Sequence, residues 1–183
     1  VDLINIASLF CSIPFDFFIK TTGRSNLYKN TIEQLPLLSD NHSRSVRILA
    51  LNCLTKYYAN LWDESWKREF KDQKWSKKDP RLDNGFFLNL QSNWQRDFAL
   101  RNDYSRRQAM LEIDVLVAQA LGMSLDELIM IYQVQFPTMQ QNEGETFYDK
   151  NGRVVFTANK GLTGIGLPRK GKGFGNNKEI GWE

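Results

Sequence analysis

The alternation of apolar and polar positions is most regular between residues 105 and 137. Apolar side chains recur there at intervals of three and four, the spacing of one helix face. They are Ala109, Met110, Ile113, Leu116, Val117, Ala120 and Leu121. Gly122 can then adopt the left-handed conformation that ends a helix. Ser124 and Glu127 form a capping box for a second helix, which Pro137 should end.

Two further helices are predicted upstream of this pair. Residues 1–19 are apolar on nearly every face, which indicates a central helix that Pro14 kinks or restarts. Residues 45–70 are predicted to form one long helix with a buried stripe. The stripe consists of Val46, Leu49, Ala50, Cys53, Leu54, Tyr57 and Leu61.

The connecting segments are polar. Residues 20–29 read as a loop with several cations, and residues 67–81 as an exposed loop of mixed charge. Near the C-terminus, Asn151-Gly152 lies between two short aromatic and β-branched runs, the pattern of a β-hairpin. The fold class is therefore mainly α, a multi-helix domain with a small β-hairpin near the C-terminus.

The last 23 residues change character, from residue 161 to residue 183. Glycines and cations alternate there, which predicts a flexible Gly/Lys-rich tail that becomes ordered only on a partner. We therefore divide the chain into a helical domain, residues 1–160, and this tail. The chain opens without an initiator Met, directly in an apolar helix, so we expect it to be a piece of a larger protein.

The composition limits the class of protein and the cellular compartment that we expect. The chain of 183 residues is long enough for a real core, and its net charge is only +3. Cys11 and Cys53 both fall on predicted apolar faces, which favours buried free thiols and a cytoplasmic location. No apolar run reaches the roughly 18–20 residues of a membrane span.

Catalytic patterns are scarce, and polyanion binding is the chemistry that remains. The single histidine, His42, has no zinc-ligand spacing around it, and the tail glycines do not open a helix as a phosphate loop would. Asp63, Glu64 and Lys67 have the residue types of a metal-dependent nuclease but lie on a predicted helix. The cations of residues 67–81 lie among Glu69, Asp72 and Asp79 and are better explained as solvated surface charges than as phosphate contacts. The other candidate phosphate contacts form two groups. They are Lys20, Arg24, Ser25, Asn26 and Lys29, and then Arg153, Lys160, Arg169, Lys170 and Lys172.

An ordered set of short motifs resembles one protein family. The motifs lie at residues 12–18, 23–27, 34–36, 106–109, 112–118, 121–124, 131–132, 135–137, 148–149, 151–153 and 164–169. In this order they resemble the C-terminal part of bacterial restriction–modification proteins used in phage defence. These are type IIG-like single chains that join an adenine N6-methyltransferase to a target-recognition region.

The resemblance implies a DNA-binding role without chemistry in this fragment. Such methyltransferases hold the flipped adenine with an Asn/Asp-Pro-Pro-Tyr/Phe motif and S-adenosylmethionine with a Gly-rich loop, and this sequence has neither. In the family both lie upstream, as does any endonuclease domain. The implied partners are double-stranded DNA and the upstream methyltransferase domain of the same chain. S-adenosylmethionine would be the cofactor of the parent protein, with none in this fragment.

A second interpretation stays open. The chain could be a helical interaction module that docks the recognition region onto the methyltransferase or onto a partner subunit. Exposed tryptophans would then be its anchors, whereas in the opposite interpretation they belong to the core. They are Trp62, Trp66, Trp75 and Trp94.

Overall fold

The computed structural model describes residues 2–23 and 28–156, and these form eight α-helices and one hairpin. The helices are α1 Asp2–Phe10, α2 Ile13–Thr21, α3 Lys29–Ile32, α4 His42–Asn52, α5 Ala59–Ser65, α6 Asp103–Ala120, α7 Leu125–Gln135 and α8 Pro137–Gly144. The strands are β1 Phe147–Tyr148 and β2 Val154–Phe156. The mainly helical fold with a C-terminal hairpin is thus confirmed. The predicted tail lies outside the described residues.

The predicted break near Pro14 is a restart of the helix. Ser12 caps α2 by accepting the Phe15 N–H, and Pro14 occupies the first turn, where its missing N–H is not needed. The axes of α1 and α2 consequently differ by 69°. This bend leaves Cys11 exposed at the corner, so the prediction of a buried thiol is wrong for Cys11 and right for Cys53.

The two packed helices of residues 105–137 are confirmed as α6 and α7. Gly122 adopts a φ of 75° between them. Ser124 and Glu127 form the reciprocal capping box that the sequence predicts. Pro137 does follow the end of α7, but it also begins α8, a helix that the sequence analysis missed.

The single long helix predicted for residues 45–70 is wrong, because α4 ends at Asn52. Donors from residues 94–106 satisfy the carbonyl groups at its end. The Leu100 N–H donates to the Ala50 carbonyl (2.8 Å), and the Trp94 indole N–H donates to the Cys53 carbonyl (2.8 Å). These bonds replace the next helical turn and let the chain change direction.

Shorter elements follow α4. Three 3₁₀ turns flank and follow α5, namely Lys56–Tyr58, Arg68–Asp72 and Arg96–Phe98. The segment predicted as an exposed loop, residues 67–81, is instead partly docked on the core: Phe70 is fully buried and Asp79 is 9% exposed. The Trp75 ring lies 5.0 Å from the Phe87 ring, centroid to centroid.

The core is centred on α4, which packs mainly against α6 and α1. Its main cluster includes Val46 and Leu49 of α4, Ile113 and Val117 of α6, and side chains from the segments between. A smaller cluster joins α2, α6 and α7. It consists of Ile13, Ala118, Leu128 and Phe136.

A buried ion pair crosses the α4–α6 interface. Arg47 and Glu112 have side chains only 3% and 7% exposed, and Arg47 Nε donates to Glu112 Oε2. The guanidinium also donates to the Lys74 carbonyl (2.8 Å). Glu112 Oε1 accepts from the Ser76 N–H (2.8 Å) and from the Gln108 amide (2.9 Å). One pair of charges therefore holds α4, α6 and residues 74–76 together.

The hairpin is seated on the N-terminus of α6. The Gly152 carbonyl accepts the Tyr104 N–H (2.9 Å), and Asp103 Oδ2 accepts the Val154 N–H (2.9 Å). Gly152 has a φ of 76°, and a Cβ atom there would collide with the Asn102 carboxamide that caps α6. Glycine is required at this position both for its conformation and for its size.

Replacing Glu112 with Gln should lower the free energy of unfolding by about 3–5 kcal/mol, because it leaves the buried Arg47 charge uncompensated. Burial alone would raise the pKa of Glu112, but the Arg47 charge and the Ser76 and Gln108 donors lower it overall. The ionised form is therefore favoured by folding, so this stabilisation is full above the unfolded pKa and is lost as the pH falls through the folded pKa. Urea unfolding of the wild type and of Glu112→Gln at several acidic pH values measures the difference in the free energy of unfolding.

The matched control is Glu33→Gln, which removes an exposed carboxylate 3.6 Å from Lys29. Its effect should stay below about 1 kcal/mol. Equal losses in Glu112→Gln and Glu33→Gln would contradict the role of the buried pair.

Three glycine-to-alanine variants should rank in a fixed order. Gly152→Ala combines an unfavourable φ with a steric clash and should destabilise most, by more than about 1 kcal/mol. Gly122→Ala has the strain alone, with open space around its Cβ. Gly144→Ala has neither and lies in α8, so it should be neutral or stabilising. The melting temperatures of the three variants measure this order. If Gly152→Ala is as stable as Gly144→Ala, the hairpin is not packed on the N-terminus of α6 as described.

Candidate nucleic-acid interface

Seven of the ten predicted contact residues lie outside the described residues. These are Arg24, Ser25, Asn26, Lys160, Arg169, Lys170 and Lys172. The remaining three are Lys20 near the end of α2, Lys29 at the start of α3 and Arg153 directly before β2.

Each of these three cations already has a carboxylate partner four residues away. Lys20 pairs with Asp16, and its ammonium group also lies 4.3 Å from the centroid of the Phe136 ring. Lys29 is 89% exposed and lies 3.6 Å from a Glu33 oxygen.

Arg153 binds Asp149 through two nitrogens, at 2.8 and 2.7 Å, across the hairpin turn. The same carboxylate accepts the Arg153 and Asn151 N–H groups, and together these donors lower the pKa of Asp149. Because the Arg153 side chain is 61% exposed, the pair lies at the surface, where such pairs are weak. A phosphate would have to compete with Asp149 for this guanidinium.

Three of the seven cations of residues 67–81, namely Lys67, Lys77 and Arg81, pair with acids within the described residues. Arg81 forms a bidentate pair with Asp79, and Tyr104 donates its hydroxyl to the same carboxylate (2.8 Å). The Arg81 hydrogen bonds are the main reason that the pKa of Asp79 is held far below its ordinary value. Lys77 contacts the Tyr104 hydroxyl (2.9 Å). These bonds fix the loop to α6, so this part of the predicted solvated loop has a structural role.

A different cationic surface lies beyond the end of α4. Arg101 joins two segments, since its Nη2 donates to the Leu54 carbonyl and its Nε donates to the Arg96 carbonyl (3.3 Å). The first 3₁₀ turn, Lys56–Tyr58, begins two residues after Leu54. We name this area the Tyr57 surface, formed by Lys56, Tyr57, Tyr58, Arg96 and Arg101.

The cations of the Tyr57 surface form no ion pair with the described residues, although the exposed Asp97 follows Arg96 in the sequence and lines one pocket with Arg101. Among the described residues, no carboxylate lies within ion-pair distance of Lys56, Arg96 or Arg101. Tyr57 is 86% exposed and Tyr58 46% exposed. Exposed cations and tyrosine hydroxyls are side-chain groups that contact the phosphates and sugars of nucleic acids.

The sequence analysis missed this surface because it placed Tyr57 in the buried stripe of a helix that does not exist. The available signal was local: Lys56-Tyr57-Tyr58 is a cation followed by two amphipathic rings, with no acid before Asp63. The end of α4, which exposes these residues, depends on contacts with residues 94–106.

Two other features, a metal cluster and a single membrane-spanning helix, are not found in the described ranges. They contain no group of three or more His, Cys, Asp or Glu side chains placed to hold a metal ion. None of their helices is by itself both long and apolar enough to cross a membrane, and α1 with α2 reaches that length only as a pair bent by 69°.

Comparison with known protein families, with curated proteins and with solved structures gave no match to this chain.

Proposed function

We propose that this chain binds double-stranded DNA through the Tyr57 surface, as the non-catalytic, DNA-facing part of a restriction–modification adenine methyltransferase. The observation that carries the proposal is a set of exposed cations without ion-pair partners, of which Arg101 is hydrogen-bonded to the segment that leads into the turn with the two exposed tyrosines. Lys56, Arg96 and Arg101 would neutralise backbone phosphates, and the hydroxyl of Tyr57 would donate to a phosphate oxygen. With a net charge of only +3, the chain needs such local clustering to attract DNA.

The predicted cations on α2, α3 and the hairpin belong to the proposal as secondary contacts. Lys20, Lys29 and Arg153 are paired with acids at the surface, and such pairs are worth about 0–1 kcal/mol. Exchange of a carboxylate for a phosphate therefore costs little, although it adds less affinity than a free cation does.

The proposed separation of DNA binding from methylation has a physical reason. Methylation of adenine in a duplex requires the base to leave the stack and enter a pocket. Another part of the protein must hold the backbone while this happens. We assign the pocket and S-adenosylmethionine to an upstream methyltransferase domain of the same chain, and the holding to this fragment.

A docking role is the second candidate, although not through tryptophans. Trp62 is fully buried and is therefore not an exposed anchor. Trp66, Trp75 and Trp94 are partly buried and pack against the core, as the opposite interpretation expects. An apolar row on α7 favours the role instead. It consists of Leu125, Ile129, Met130 and Val134, which are 63%, 41%, 62% and 66% exposed. Binding through this row would be insensitive to salt, whereas phosphate binding falls steeply with ionic strength.

The double variant Lys56→Ala/Arg96→Ala should weaken duplex binding about tenfold or more near 0.1 M salt. It should also reduce the slope of log K against log[salt] by about 1.8, since each phosphate contact contributes about 0.9. Fluorescence anisotropy with a labelled duplex at several salt concentrations measures both quantities.

The matched control is Arg68→Ala/Lys78→Ala, which removes the same charge from exposed positions outside the Tyr57 surface. It should leave the slope nearly unchanged. If the two double variants lose affinity and slope equally, binding is a property of net charge and the assignment to the Tyr57 surface is wrong.

A separate variant tests the predicted loop. Arg24→Ala with Lys29→Ala should weaken binding in a low-salt gel shift without lowering the melting temperature, because Lys29 is exposed. Unchanged affinity would remove residues 20–29 from the interface.

A further inference from the structure

A cavity in the described part of the chain lies where α2, α6 and α8 meet β1. It has a volume of about 690 Å³ and opens to solvent. Its apolar wall includes Ile13 of α2, Met110 of α6, Phe136 and Met139. We name it the Asp114 cavity after the buried acid in its wall.

Asp114 is only 4% exposed, yet half of its carboxylate is unused. Oδ1 accepts the Ile13 N–H at 2.8 Å, which ties α6 to the start of α2. Within the described residues, no donor is bonded to Oδ2. Oδ2 is not one of the fully enclosed polar atoms that lack a partner in the described residues, so it reaches the open cavity without a protein donor. Buried carboxylates are normally paired, so this oxygen is free to receive a donor from the cavity.

The other charges around the cavity cancel in pairs. Lys20 pairs with Asp16 on α2, and Arg107 of α6 pairs with Glu143 of α8. Glu143 also accepts the Tyr132 hydroxyl (2.5 Å).

Two further titratable groups, Cys11 and Tyr148, line the cavity and stay neutral at pH 7. Partial loss of solvent around the titrating atoms is the main cause that raises the pKa of both, although Cys11 as a whole residue is exposed at the corner of α1 and α2. Among the charged side chains that line the cavity, the ionised Asp114 is thus the one without an ion-pair partner, although the Arg107 charge acts on it from a longer distance.

Burial raises the pKa of Asp114 to about 6, against the opposing pull of the Ile13 N–H and of Arg107. Because the folded pKa is higher than the unfolded one, folding favours the protonated form. Stability from this group therefore declines as the pH rises from about 4 to about 6 and stays low above that range. Near neutral pH the protein holds an ionised, half-paired carboxylate in its wall.

We propose that the Asp114 cavity binds a small organic cation, with an ammonium or amidinium head on Asp114 and an apolar body against Met110, Phe136 and Met139. The charge balance selects a cation, and the size of the cavity leaves room for a body behind the head. Phe136 already receives a cation on its ring, since the Lys20 ammonium group lies 4.3 Å from its centroid. The proposal is independent of DNA binding.

Benzamidine, with benzamide as the neutral isostere, is a direct probe of this site. Titrated into the 183-residue chain and followed by calorimetry near pH 7.5, benzamidine should bind at least about tenfold more tightly than benzamide, as a charge-assisted hydrogen bond requires. In Asp114→Asn this preference should disappear. The amide oxygen of Asn can still accept the Ile13 N–H, and the buried charge is removed, so the variant should melt no lower than the wild type. Asp72→Asn, an exposed acid outside the cavity, should keep the preference.

The wild type alone provides a second, independent measurement. Benzamidine binding should weaken as the pH falls below about 6, by up to tenfold for each pH unit, because the proton and the amidinium compete for the carboxylate. Benzamide binding should not change. These measurements at several pH values test the proposal on the wild type alone, even if the Asp114→Asn variant does not fold.

Three results would overturn the proposal. They are no saturable benzamidine binding in the millimolar range, equal affinity for benzamidine and benzamide, and a preference that survives in Asp114→Asn. None of them bears on the salt-dependent duplex binding proposed above, and loss of duplex binding leaves the benzamidine result intact.

Discussion

The buried pair of Arg47 and Glu112 sets the arrangement on which the rest of the structure depends. An apolar stripe permits two helices to slide or rotate against each other with little change in buried area, whereas a pair of buried charges has one acceptable position. Every donor around Glu112 comes from a defined place: Arg47 on α4, Gln108 one turn earlier on α6, and Ser76 in the intervening segment. The Arg47 guanidinium also lies 4.9 Å from the centroid of the Phe87 ring, so the same group orders the aromatic residues beside it.

The Tyr57 surface and the Asp114 cavity both extend from this fixed pair of helices. At the end of α4, free carbonyls receive Trp94 and Arg101, and the chain turns outward to present Tyr57. At the start of α6, the Asn102 cap and the Tyr104 N–H hold the hairpin. The Asp114 cavity lies farther along α6, where α2 and α8 cover its side. The packing of α4 on α6 thus determines where the Tyr57 surface and the Asp114 cavity are placed. Arg47 and Glu112 themselves are not part of the Tyr57 surface.

What the sequence predicted well depends on signals within about five residues. The α6–α7 pair, the Ser124–Glu127 box and the Asn151-Gly152 turn are of this kind. The end of α4 could not be found this way, because the donors that terminate it lie 41 to 55 residues away along the chain. Tyr57 was consequently assigned to the core. The acids that pair with Lys20, Lys29 and Arg153 are each four residues away along the chain. These three ion pairs could therefore have been predicted from the sequence.

Glu112 and Asp114 provide the sharpest contrast in the molecule. They are two residues apart on one helix and nearly equally buried, yet their pKa values move in opposite directions. The fold supplies Glu112 with a cation and three further hydrogen bonds, but it supplies Asp114 with one backbone N–H. An asparagine would accept that N–H equally well and would carry no charge into the interior. The structure therefore has a use for the acceptor at position 114 and none for its charge, and a cationic occupant of the cavity accounts for the charge.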